Sequence, residues 1–326
     1  MKNNIQTLFL SSVIAFTFLL GSCSKNNNNP GDRPSVPKPD TLTTGWKKIV
    51  LDAENGFSDI FFNSNTNGYL SGKKLYRSTD GGLTWNVAAN RFASNLSVTN
   101  DGKVFLASFI DTIFRSTDGG ATLTGFKTPG ASGFDVFFID NNNGYYITYS
   151  GLYVTGDGGI SWKKLDTPDI NFVGEYSSLF FTDTNTGLVK TYDNIYKTNG
   201  SNISWKKASF PANSPAFHFQ SIFVTPDNTV YVITRDGDLF KSTDGGLNFN
   251  QLKKFSASLE AFCDIHFVDN NTGYLSSDNK IYKTTDAGST WNMVVALGEA
   301  KLTEIHFTDA NHGWACGTKG TVLVFN

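Results

Sequence analysis

Cysteine is scarce in this chain. Three residues in 326, Cys23, Cys263 and Cys316, are too few for a disulfide framework. Cys263 and Cys316 fall on strand-like stretches, where a disulfide and two buried free thiols are both open readings. Histidine is limited to His218, His266, His306 and His312. None stands in H-x-H or H-E-x-x-H spacing, so no metal site is expected. Charge of either sign is in small excess only: 27 Lys plus Arg against 29 Asp plus Glu, a net charge of -2. That removes the basic field a nucleic-acid binder needs. No G-x-G-x-x-G follows a strand, so no phosphate loop is expected, and no cofactor is implied. Long apolar runs are absent but for Leu8 to Leu20, short for a membrane span. What the chain has instead is 31 glycines and 14% aromatics, the mixture of many short strands joined by tight turns.

The apolar run follows Lys2 and ends in Leu20-Gly21-Ser22-Cys23. A basic start, a short hydrophobic stretch and small residues before a cysteine resemble a bacterial lipoprotein leader. The expectation is a signal peptide over 1–22 and lipidation of Cys23 as the mature first residue, anchored by more than one acyl chain. Residues 23–40 hold Asn26 to Asn29 and Pro30, Pro34, Pro37 and Pro39. They have little to bury and read as a disordered tether. The expected location is the cell envelope, lipid-anchored to the outer membrane, on its periplasmic side or at the cell surface.

One motif organises the remainder. S-T-D-G-G-L-T-W at Ser78 returns as S-T-D-G-G at Ser116, G-D-G-G-I-S-W at Gly156, S-T-D-G-G-L-N-F at Ser242 and T-D-A-G-S-T-W at Thr285. A worn copy, T-N-G-S-N-I-S-W, begins at Thr198. Aspartate accepts hydrogen bonds from nearby backbone N–H groups and glycine supplies positive φ, so each copy is a turn between two strands. Asp80, Asp118, Asp157, Asp244 and Asp286 are its acceptors, and Trp85, Trp162, Trp205 and Trp291 open the strand that follows. The period is about 40 residues, which signals a propeller or solenoid. Each unit reads as four strands, a propeller blade. Six units are complete. A seventh, from Ile305 to Phe325, has three strands, and Gly45 to Val50 is a fourth strand without a blade. We therefore expect an all-β, seven-bladed β-propeller of four-stranded blades over residues 41–326, with the last blade closed by the N-terminal strand.

The fuller unit appears as V-F-F-I-D-N-N-N-G-Y from Val136, I-H-F-V-D-N-N-T-G-Y from Ile265 and I-H-F-T-D-A-N-H-G-W from Ile305. With its aspartate turn it resembles the photosystem II stability and assembly factor family, whose turns are the Asp boxes of bacterial neuraminidase repeats. The resemblance implies the fold. It places the aspartate and asparagine turns on one rim, and implies ligand sites on the opposite rim or in the channel.

Enzymatic chemistry finds little support. A sialidase would need three arginines clamping a carboxylate, but Arg77 and Arg115 are repeat-surface positions, which leaves Arg91 and Arg235. Paired carboxylates for glycoside hydrolysis are not singled out among the acids outside the turns. The irregular links between blades, with the loops joining second and third strands, make the candidate binding rim: Arg91, Tyr149, Glu175, Tyr176, His218, Arg235, Asp236 and Glu260, with Phe92, Phe172, Tyr192 and Phe219 nearby. The leading expectation is a non-catalytic envelope binding or assembly scaffold with a protein partner. The alternatives are a glycan-binding protein, or a glycoside hydrolase or lyase acting on extracellular polysaccharide. An enzyme should show an acidic cluster with raised pKa in a pocket on the link rim. A glycan binder should show an aromatic platform, and a scaffold a broad surface without a deep pocket.

Overall fold

The computed structural model describes residues 39–326 apart from 100, 108–110, 131–132, 168–169, 173–176, 184–185, 200–203, 213–217 and 256–260. The expected signal peptide, Cys23 and nearly all of the tether lie outside these residues. So do Glu175, Tyr176 and Glu260.

Seven antiparallel sheets form a β-propeller. The innermost strands of the blades are Phe57–Phe62, Asn95–Val98, Gly133–Phe138, Ser178–Phe181, Phe219–Val224, Phe262–Phe267 and Leu302–Asp309. Blade 7 is completed by Trp46–Val50, which pairs with Thr321–Phe325 in the register Trp46 to Phe325 and Val50 to Thr321. The N-terminal strand thus closes the ring. Thr41–Leu42 does something the sequence did not suggest. It adds a fifth strand to blade 6, with Thr41 opposite Ala296 and Leu42 opposite Val295. Ten residues of chain, Thr41 to Val50, therefore bind two blades together. Asp40 joins in, accepting from Lys48 Nζ at 2.8 Å and from the Gly298 N–H at 2.8 Å.

The packing between blades explains the repeat. In five blades a phenylalanine at or near the end of the innermost strand lies flat on an aromatic of the preceding blade's second strand. Phe138 stacks on Phe105 at 3.5 Å, Phe181 on Tyr145 at 3.6 Å and Phe267 on Tyr231 at 4.0 Å. Phe307 stacks on Tyr274 at 4.0 Å, and Phe62 on Trp314 at 3.6 Å across the closure. A glycine at the start of the second strand makes room for it: a Cβ on Gly68, Gly144, Gly187, Gly273 or Gly313 would clash with the ring of the blade's own phenylalanine. In three of these blades the aromatic after the glycine, Tyr145, Tyr274 or Trp314, receives the next blade's phenylalanine. Such aromatic pairs contribute ~0.5–1.5 kcal/mol each beyond the area they bury.

The aspartate turns form as their chemistry dictates. Ser78 Oγ donates to Asp80 Oδ1 at 2.8 Å and accepts from the Gly82 N–H at 2.8 Å. Asp80 accepts from the Thr84 N–H at 2.9 Å and from Thr84 Oγ1 at 2.6 Å. Gly81 and Gly82 have φ of 74° and 84°. Asp118, Asp157, Asp244 and Asp286 make the same bonds in their own turns. Trp85, Trp162 and Trp291 each donate their indole N–H to the second glycine's carbonyl, at 2.9, 3.1 and 2.9 Å. In the worn copy Trp205 finds no such acceptor.

Candidate functional site

The innermost strands place chemistry where no turn motif pointed. In five blades this strand is bulged near its start, between Phe57 and Asp59, Gly133 and Asp135, Phe219 and Ser221, Phe262 and Asp264, and Leu302 and Glu304. The residue after the bulge, or its equivalent in blades 2 and 4, faces the axis. Around the ring these residues are Asp59, Asn95, Asp135, Ser178, Ser221, Asp264 and Glu304. All seven line a central cavity of about 760 Å³. Two residues further along each strand, about 7 Å deeper, lies a second ring: Phe61, Ser97, Phe137, Phe180, Phe223, His266 and His306. Its members touch across blades. Phe61 meets His306 at 4.6 Å, His306 meets His266 at 5.3 Å, and His266 meets Phe223 at 4.5 Å.

The first ring also ties the blades together. Asp59 accepts from the Leu96 N–H at 2.9 Å, Asn95 from Val136 at 3.4 Å, Asp135 from Leu179 at 2.7 Å and Asp264 from Ile305 at 3.1 Å. Each bond reaches from one blade to the next. Asp264 also accepts from Ser221 Oγ at 2.5 Å and is hydrogen-bonded to Glu304.

Electrostatics in the ring follow from burial. Loss of water pushes Asp59 up to about 7 and Asp135 up to about 6, against the lowering effect of their N–H partners. Glu304 is pushed well above its usual range by burial and by the charges of Asp264 and Asp59. Glu304 therefore carries the proton and donates it to Asp264. Lys190 enters from the second strand of blade 4, donates to the Phe219 carbonyl at 3.3 Å and is brought down to about 8 by burial. Burial likewise lowers His306 to about 4, and His266 well below its usual value. Both histidines are neutral.

Toward the link rim lies a mouth of about 420 Å³ that shares Asp59, Asn95, Asp135, Ser178 and Glu304 with the channel. Phe92, Ser94, Phe134, Ser177 and Lys190 join the carboxyl ring there. Phe92 is exposed, and Tyr149 is the most exposed large apolar residue described, at 63%, set edge-on to Phe134 at 4.3 Å. The Ser177 hydroxyl is buried and has no hydrogen-bond partner. Among the described residues no group of three or more His, Cys, Asp or Glu is arranged to hold a metal ion.

Five of the sequence-selected rim residues, Arg91, Tyr149, His218, Arg235 and Asp236, are among the described residues. His218 and Asp236 come together at 3.9 Å, with the Tyr192 ring tilted against the imidazole at 4.6 Å. Arg235 is exposed beside them. Arg91 lies over Phe114 at 4.4 Å, and Tyr149 belongs to blade 3. Phe172 and Phe219 are core residues, not rim contacts. Cys263 and Cys316 are free thiols, raised by burial, Cys263 to about 11. Asp59, Asp135 and Asp264 went unmarked as site residues because each is an ordinary polar residue at the start of a strand. The signal was the column they form when the blades are aligned: Asp, Asn, Asp, Ser, Ser, Asp, Glu.

No protein-family model matches the chain, and no curated protein matches it. Solved structures do. The fold is similar to that of YCF48 bound to D1 peptide, with a TM-score of 0.73, 19% identity, and coverage of 88% of this chain and 98% of that one. YCF48 from Cyanidioschyzon merolae matches with a TM-score of 0.69 and 23% identity over 87% and 99% of the two chains. A catalytically inactive virginiamycin B lyase from Staphylococcus aureus with quinupristin matches with a TM-score of 0.70 and 15% identity over 86% and 98%.

Proposed function

We propose that this protein is a lipid-anchored, non-catalytic scaffold of the bacterial envelope that seats a protein partner on its link rim. One observation carries the reading. The link rim holds a mouth of about 420 Å³ lined by the exposed Phe92 and by Phe134, against which the exposed Tyr149 is set edge-on. Aromatic side chains on a concave, partly polar surface are the usual anchors of protein recognition. YCF48, similar in fold, is seen with a D1 peptide, which supports a peptide-binding role for such a ring.

A second reading, glycoside hydrolysis or elimination, is favoured by the raised carboxyls in the channel, the feature expected of an enzyme. Their geometry argues against it. Asp59, Asp135 and Asp264 each hold a neighbouring blade's backbone N–H. Glu304 and Asp264 are in direct hydrogen bond, closer than the roughly 5 Å that even a retaining glycosidase keeps between its carboxyls.

The test is site-specific photo-crosslinking in intact envelopes from position 149 on the link rim and position 160 on the aspartate-turn rim, both exposed. A discrete adduct from 149 and none from 160 is expected. An adduct from 160 alone overturns the assignment of the rim.

A further inference from the structure

We infer that the channel mouth receives a cationic side chain, an arginine or lysine, from an extended segment of the partner. This rests on the scaffold reading and names the chemistry of its occupant.

The inference starts from a surplus. The structural task of the first ring is to accept a backbone N–H from the next blade, and Asn95 performs it without a charge. Ser178 and Ser221 occupy the ring without one as well. A carboxylate at this depth loses hydration that an amide would not miss. Yet four of the seven positions are Asp or Glu. Among the described residues lining the cavity and its mouth, Lys190 is the sole lysine or arginine. Among the described residues the remaining titratable groups facing the ring are Cys263 and His306, neither of which supplies positive charge. Three ionisable acids, Asp59, Asp135 and Asp264, with the protonated Glu304 beside them, thus face one cation.

A second, independent observation marks where a ligand's donor would go. Ser177 is 2% exposed, lines the mouth, and its hydroxyl has no partner. It immediately precedes Ser178, whose register partner is Lys190. A buried hydroxyl left unsatisfied costs about 1–3 kcal/mol, a loss that a bound N–H donor removes. Guanidinium and ammonium groups are donors only. They match a ring of carboxylate oxygens and a serine oxygen. Without a cluster of three metal-ligating side chains among the described residues, a bare metal ion lacks such a match. Phe92 at the lip offers an aromatic surface to the aliphatic stem and to the charge itself. The raised carboxyls add a consequence: cation binding shifts them toward the ionised form, so binding releases protons and strengthens as pH rises from 5 to 8.

The experiment is isothermal titration calorimetry of the full chain at pH 8 with the capped tripeptide Ac-Gly-Arg-Gly-amide. Ac-Gly-Lys-Gly-amide and the neutral isostere Ac-Gly-citrulline-Gly-amide are run alongside. A cationic peptide is expected to bind at least tenfold more tightly than the citrulline peptide. The double variant Asp59→Asn with Asp135→Asn is expected to lower that affinity at least tenfold, and Ser177→Ala several-fold. Equal binding of the citrulline peptide, or no binding of any of the three, overturns the inference; neither outcome depends on a variant folding. Full affinity in the folded double variant also overturns it. The scaffold reading fails separately. A link-rim crosslink without cation selectivity sinks the cationic occupant alone. Cation selectivity with crosslinks only from the turn rim sinks the scaffold reading and leaves a site for a cation.

Discussion

At the scale of single residues, the same side chain type does opposite things at the two ends of a blade. Asp118, Asp157 and Asp286 sit in exposed turns, where side-chain and backbone hydrogen bonds from the fourth residue on hold each at about 2. Asp59 sits in the channel, where burial carries it to about 7. The signs of their contributions to stability differ accordingly. The turn aspartates stabilise above the unfolded value of about 4, and that contribution is lost as pH falls toward 2. For Asp59 the folded state binds its proton more tightly than the unfolded chain does, so its contribution is full below pH 4 and is lost as pH rises through 7. His266 and His306 act against it, since their folded values lie below the unfolded one and stability gained through them rises with pH up to about 6.5. A whole-protein pH profile therefore mixes opposing slopes, and the clean measurement is a difference. Asp59→Asn keeps the acceptor for Leu96 and removes the titration. In urea unfolding, its stability relative to the parent is expected to improve by ~1–3 kcal/mol between pH 5 and pH 8. No change across that range would mean that Asp59 is not buried as a carboxylate. In the turns the sensitive residue is the buried hydroxyl. Ser78→Ala strands the Gly82 N–H and is expected to cost ~1–3 kcal/mol in the same assay.

At the scale of elements, the N-terminal segment is the weak seam of the ring. Trp46 is 6% exposed and meets Tyr274, Phe307 and Phe325. One side chain thus joins blades 6 and 7. Removing residues up to 39 leaves both N-terminal strands in place. Removing residues up to 51 uncovers the edge of Thr321–Phe325 in blade 7 and of Asn292–Ala296 in blade 6. Exposed strand edges recruit other chains. The shorter truncation is expected to melt as the full chain does and to elute as one species. The longer one is expected to aggregate or to melt well below it, with thermal unfolding and size-exclusion chromatography as the checks. Trp46→Ala alone is expected to cost ~3–5 kcal/mol through the cavity it leaves. Much at this scale was legible beforehand. The strand at Gly45 to Val50 was visibly spare, because it copies Trp162-Lys163-Lys164 and Trp205-Lys206-Lys207. The pairing of Thr41–Leu42 was not, because two residues carry no periodicity to read.

At the scale of the whole molecule, the ring makes two faces with different rules. One rim repeats the same turn and varies little. The other holds the exposed Phe92 and Tyr149 and the mouth of the channel. A broad surface without a deep pocket was expected of a scaffold, and the channel cavity of about 760 Å³ departs from that expectation. The leader's prediction belongs to this scale too. Cys23→Ser is expected to abolish radiolabelled palmitate incorporation and to release the protein from the membrane fraction; retention in membranes with the substitution would refute the lipid anchor. By itself the sequence determined the blade count, the turn chemistry and the strand that closes the ring. These depend on neighbours within about 40 residues, and each repeats often enough to be read. Only the tertiary structure decided the channel. Asp59, Asp135, Asp264 and Glu304 stand in four different blades, and each looks like the polar start of a half-buried strand. Curvature of the ring brings them to one axis, and the loss of water there raises their pKa values and makes ordinary acids hold their protons more tightly.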